Sequence, residues 1–180
     1  MFALYLLPWV INPAASLTPN GYELAEWTSL HPAVRGASPP LMTSLLLRVP
    51  LVCIALAAAF TQRRGILPAL IVLIVTAGLL PPELLQATGN PNSQQQGALA
   101  LLTSIGGAIG LSGVLPRYRC WIAVAIGLAG AGASIVGLLQ GVNLMRGFNL
   151  PAQIGLGGAA LAVTFLIAAG GIAANQTGQR

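Results

Sequence analysis

Lysine and aspartate are missing from this sequence altogether, and glutamate occurs only at positions 23, 26 and 83. Charged residues make up 6% of the 180 positions. Soluble domains carry roughly 25%, so this chain lacks the charge to cover a water-facing surface. No Asp, Glu, Lys or His follows Glu83, which removes the usual acids, bases and nucleophile partners from more than half the chain. No catalytic residues are expected, and the chain is not expected to be an enzyme. His31 is the sole histidine and lies in a proline-rich stretch, so a haem or chlorin held within a membrane by histidine is excluded for this chain alone. Pigments held by water or carbonyl oxygen stay open. Cys53 and Cys120 form no C-x-x-C pair, and Glu23, Glu26 and His31 match no ligand template, so no metal site is expected. The positive charge comes from eight arginines set singly or in pairs between apolar runs. That is loop charge which orients a membrane protein, not a nucleic-acid footprint.

What the chain has instead is apolar length: 56% of its residues are hydrophobic. The stretch 97–141 organises the rest. It runs from Gly97 to Pro116, turns at Arg117-Tyr118-Arg119 and continues from Trp121 to Gly141. Each uncharged arm is about 20 residues long, and at about 1.5 Å per residue it matches the roughly 30 Å hydrocarbon core of a bilayer. Two such arms joined by a basic turn read as a transmembrane helical hairpin.

The remaining chain falls into place around that hairpin. Residues 2–11 are apolar but reach only half a bilayer as a helix, and Tyr5 and Trp9 are aromatics of the interface type. They predict an N-terminal interfacial segment, with a distorted full crossing as the alternative. No cleavable signal peptide is expected, because Met1–Ile11 has no basic start and Pro8-Trp9 interrupts it. Residues 12–40 form an outer cap punctuated by Asn12-Pro13, Pro19-Asn20, His31-Pro32 and Pro39-Pro40. Within it Tyr22–Leu30 can make a short helix capped by Asn20, with Glu23 and Glu26 in its first turns. Apolar spans then cover about 41–61 (with Arg48 and Pro50), 66–82, the hairpin, and 152–174, with polar loops at 83–96 and 142–151. The predicted fold is all-α and polytopic: about five transmembrane helices, divided into an N-terminal region 1–40 and a bundle 41–180.

Arg63, Arg64, Arg117, Arg119 and Arg180 fall on one side of such a bundle, Arg35 and Arg146 on the other. The positive-inside rule places the first set and the C-terminus in the cytoplasm and residues 12–40 outside. The lysine-free, arginine- and alanine-rich usage suggests a GC-rich bacterial genome, hence a bacterial inner membrane. Leu7-Pro8-Trp9-Val10, then Asn20-Gly21-Tyr22-Glu23-Leu24, then a long apolar span and a basic turn resembles a loose group of small multi-pass bacterial membrane proteins. The resemblance covers about the first third of the chain and implies location and topology only.

Two kinds of position stand out in the spans. Small residues recur at helical spacing: Gly106 and Gly110; Ala125, Ala129, Ala133, Gly137 and Gly141; Gly155 with Ala159 and Gly158 with Ala162. Such faces let helix backbones approach closely, which drives association in lipid. They suit internal packing, contact with another membrane subunit, or a lipid, quinone or carotenoid tail. The run Gly127–Gly132 superficially matches a dinucleotide loop, but no acidic residue follows to hold a ribose. The second kind is intramembrane charge. Arg48 is the one ionisable side chain inside a span, where a charge is a functional-site hypothesis by default. Hairpin geometry predicts Glu83 as its partner, with Glu23 and Glu26 as alternatives. The composition favours a non-catalytic accessory or scaffold subunit of a larger membrane complex, respiratory or photosynthetic, whose partners are lipids and other subunits. A transporter or channel subunit, or a binder of apolar tails, is the alternative.

Overall fold

A computed structural model describes residues 1–13, 16–36, 38–61, 65–80, 90–147 and 150–177, with the backbone alone at 176 and 177. The described chain is mostly helical. In order it holds α1 (Phe2–Tyr5), β1 (Val10–Ile11), α2 (Gly21–Leu30), α3 (Pro32–Arg35), α4 (Met42–Thr61), α5 (Ile66–Leu79), α6 (Pro91–Ser112), α7 (Arg119–Gly147), β2 (Gln153–Ile154) and α8 (Leu156–Thr177). Three of these helices, α4, α7 and α8, are long and apolar enough to cross a membrane. The five-span count rests on two further helices that fall short of that measure. Helix α5 has 14 residues, about 21 Å at the helical rise. Helix α6 begins Pro-Asn-Ser-Gln-Gln-Gln, so its first turns are polar and the predicted loop 83–96 is helical from Pro91.

The local signals explain where the helices start and stop. Helix α2 carries a full capping box: Asn20 Oδ1 accepts from the amides of Tyr22 and Glu23, and Glu23 Oε2 accepts from the Asn20 amide. It ends because His31 precedes Pro32 and is held extended. The same His31 then starts α3, its Nδ1 accepting from the Ala33 amide at 3.0 Å. Pro91 at the first turn and Gly113 in the left-handed conformation (φ +70°) bracket α6. The hairpin turn therefore spans Gly113–Tyr118, and Arg119 is already helical. Helix α7 continues to Gly147, which corrects the expected loop at 142–151: Asn143 and Arg146 belong to the helix. Its 29 residues extend about 43 Å, more than a hydrocarbon core requires.

The chain divides into two compact units, residues 1–50 with 130–165, and residues 51–129 with 166–180. In the first, the core is built around Trp9 and Tyr5. Both rings are fully enclosed by protein, not set at a surface as the sequence pattern suggested. They meet edge to face with centroids 5.6 Å apart. The antiparallel pair β1–β2 joins Val10 to Ile154 and Ile11 to Gln153. Beside it the Gly155 amide donates to Trp9 O at 2.7 Å and the Gly157 amide to Pro8 O at 2.9 Å. Only glycine fits here: a Cβ at Gly157 would lie 2.9 Å from Trp9 Cδ1, and one at Gly158 would lie 2.9 Å from the same ring. The N-terminal segment is thus the hub of this unit's core, stitched by backbone hydrogen bonds that no hydropathy pattern reports.

In the second unit α5 and α6 pack closely, with Gly107 against Val72 and Ser104 Oγ 3.4 Å from Thr76 Oγ1. Gly106 faces Leu56, and Gly110 faces Ala59 and Phe60. Arg119 closes this corner: its guanidinium donates to Phe60 O and, at 3.0 Å, to Ala59 O. These are last-turn carbonyls of α4, which have no partner within the helix. Cys53 and Cys120, both in this unit, are free thiols.

Candidate functional site

Helix α4 is apolar apart from a few hydroxyls and one arginine. That arginine, Arg48, is completely enclosed. Its Nη2 lies 2.7 Å from Glu26 Oε1, and the Glu26 side chain is 36% exposed. Glu26 stands on α2, on the turn after the capping box, so the cap that starts α2 also sets the register that points a carboxylate at α4. A buried guanidinium without a carboxylate would cost several kcal/mol, and the part-exposed Glu26 supplies the counter-charge. Glu83, the partner expected from hairpin geometry, lies outside the described residues. The alternative acid, Glu26, is the one that meets Arg48.

Five features surround the pair. Tyr5 Oη donates to Leu47 O at 3.0 Å. Burial pushes the Tyr5 phenol well above its ordinary value, against a smaller opposing pull from Arg48, so it stays a neutral donor. Tyr22 is raised too, first by burial and then by the negative charge of Glu26. Pro50 sits inside α4 and has no N–H to give to Leu46 O one turn back. At that weakened turn α7 comes in close: a Cβ on Gly137 would lie 3.1 Å from Leu46 C, 3.2 Å from Leu46 O and 3.2 Å from Leu47 N. One turn earlier on α4, Thr43 Oγ1 donates to Gln140 Oε1 at 3.0 Å. The arrangement holds a permanent cation, a carboxylate, a neutral phenol and a proline-interrupted helix within one packed layer. Such a set of groups can lock helices together or offer a fixed charge to a charged group.

The small-residue positions divide. Gly106, Gly110, Gly137 and Gly155 meet protein atoms where a Cβ would go, and Ala133 is buried. Ala125, Ala129 and Ala159 are exposed. The stripe on α7 therefore does two jobs along its length: Ala133, Gly137 and Gly141 are buried, while its earlier alanines face outward. A helix rotates by about 100° per residue, so a run of small residues with four-residue spacing drifts slowly around the axis and leaves the internal face.

Sequence reasoning held Glu26 only as an alternative partner, and it missed Tyr5 as a donor to the helix backbone and Gln140. The last was detectable: with Asn143 it is one of two amides in an otherwise apolar stretch of α7, a residue type that rarely sits there without a partner. Glu23 and His31, weighed as metal ligands, serve instead as caps to α2 and α3. Comparison with known proteins finds no matching protein family, no similar curated protein and no similar solved structure.

Proposed function

We propose that this chain is a non-catalytic integral membrane subunit, an accessory or scaffold component of a larger respiratory or photosynthetic complex in a bacterial inner membrane. The observation that carries the reading is the outward face of α7. Ala125, Ala129 and Gly132 are exposed, at the spacing that puts residues on one side of a helix. Nothing lies within 4 Å of where a Gly132 Cβ would stand. In lipid, where apolar bulk gives no preference for protein over membrane, small outward residues are what allow a neighbouring span to approach. In this reading α4 to α8 make about five crossings, residues 12–40 lie outside, and the turn at Arg117–Arg119 and the C-terminus lie in the cytoplasm.

The test is purification of the tagged chain from native membranes at its natural expression level in a mild detergent. Stoichiometric co-migration with other membrane proteins, reduced by Gly132→Leu, is the expected result; a monomer indifferent to that substitution overturns the reading. A second reading, a transporter subunit, is favoured by one specific observation, the Arg48–Glu26 pair beside Pro50. Transporters place charges and interrupted helices together in this way. It would be supported by a solute whose uptake is lost in Arg48→Leu while the protein still folds.

A further inference from the structure

A cavity of about 610 Å³ opens beside α2, within the roughly 300–1,000 Å³ that small-molecule sites occupy. We propose that it binds a cationic ammonium group carried on an apolar chain. Its lining combines Glu23 and Trp27 with the apolar side chains of Leu6, Leu17, Met145 and Leu150, alongside neutral polar groups such as Asn12 and Thr18. Among the described lining residues Glu23 is the one that carries a charge. Glu23 and Trp27 are four residues apart on α2, so carboxylate and indole stand one above the other on the same helix face. A carboxylate next to an aromatic face is the recognition pattern for ammonium groups, by charge and by cation–π attraction.

An anion is the natural ligand of a helix N-terminus, yet here that role is already filled. Asn20 Oδ1 takes the amides of Tyr22 and Glu23, and Glu23 Oε2 takes the amide of Asn20. The amides that would hold an anion are engaged, and an incoming anion would face the Glu23 charge. The lining leucines and Met145 then fit the chain of an amphiphile, with methionine adaptable to chain shape. The ligand class has two sources, an ethanolamine lipid headgroup or a free long-chain amine. The inference stands apart from the packing role proposed above and does not depend on it.

The test uses the full chain in detergent with 10-bromodecyltrimethylammonium, whose bromine quenches nearby tryptophan, and decyl sulfate as the chain-matched anion. The expected result is saturable quenching, weakened at least tenfold in Glu23→Gln. Glutamine at this position keeps the capping box, so the variant should retain its helical circular dichroism. Equal quenching in Glu23→Gln, or decyl sulfate displacing the bromo probe as well as unbrominated decyltrimethylammonium does, overturns the proposal. In a second arm, native mass spectrometry follows release from nanodiscs holding equal phosphatidylethanolamine and phosphatidylglycerol. Retention of phosphatidylethanolamine by the wild type and its loss in Glu23→Gln supports the proposal with a lipid as the source. Charge-dependent probe binding without lipid retention supports it with a free amine as the source.

Discussion

Arg48 meets Glu26 at 2.7 Å, with the arginine enclosed on all sides and the glutamate 36% exposed. The asymmetry decides how the pair responds to substitution. Removing the carboxylate strands a buried cation, whereas removing the arginine leaves a carboxylate that can turn to water. Glu26→Gln is therefore expected to cost about 3 kcal/mol, the scale for breaking one side of a buried pair, and Arg48→Leu about 1 kcal/mol or less. A double-mutant cycle on thermal stability in detergent should give a coupling of at least about 1 kcal/mol. Additive effects would show that the two side chains do not interact.

Gly137 and Gly132 lie five residues apart on α7 and should behave in opposite ways. A Cβ at 137 presses on the Leu46–Leu47 backbone at 3.1–3.2 Å, and backbone cannot swing aside as a side chain can. Gly137→Ala should destabilise by about 1–3 kcal/mol. At 132 the space is open, so Gly132→Ala should be neutral or stabilising by up to about 1 kcal/mol through helix propensity. Thermal unfolding of the two variants side by side checks both.

Tyr5 makes stability depend on alkaline pH. Its phenol is raised in the folded protein above the ordinary value of 10.0, so folding favours the protonated form. The contribution is complete below the unfolded value of about 10 and is lost as pH climbs above it, because the unfolded chain releases the proton first. Thermal midpoints should hold steady to about pH 9 and then fall. Tyr5→Phe should lower the midpoint at neutral pH by removing the bond to Leu47 O, and should flatten the alkaline decline. An unchanged alkaline slope in Tyr5→Phe would refute the assignment, once the similarly raised Tyr22 is also replaced by phenylalanine.

Arg119 bonds the Ala59 and Phe60 carbonyls, and a charged donor to such groups is worth about 1.5–3 kcal/mol. Arg119→Gln should cost about that much. Hydrogen exchange should quicken first at the last turn of α4, near Ala59–Thr61; protection lost evenly along the helix would count against a local capping role.

The orientation proposed for the chain is open to labelling. With Cys53 and Cys120 replaced by serine, a cysteine at exposed Gln94 should react with a membrane-impermeant maleimide in intact cells. A cysteine at exposed Tyr118 should react only after lysis. The reverse pattern would invert the topology.

Much of the fold was legible in the chain because its causes are local. The capping box at Asn20 and Glu23, the stop at His31-Pro32 and the apolar length of α4, α7 and α8 depend on residues within a turn or two of one another. Helix ends were less legible where chemistry did not mark them: Asn143 and Arg146 look like loop residues, yet α7 carries them because its end packs with the N-terminal core. Three decisions belonged to tertiary structure alone. Trp9 and Tyr5 read as interfacial aromatics because composition cannot show that glycines at 157 and 158, nearly 150 residues away, leave room for the indole. The stripe on α7 reads as one face, yet only packing separates Gly137, pressed on a proline-weakened turn, from Ala129, which faces out. Arg48, a charge within an apolar span, called for either an acid or a reach to the interface. Which acid it took was set by the path of α2, a long-range outcome that no spacing along the chain encodes.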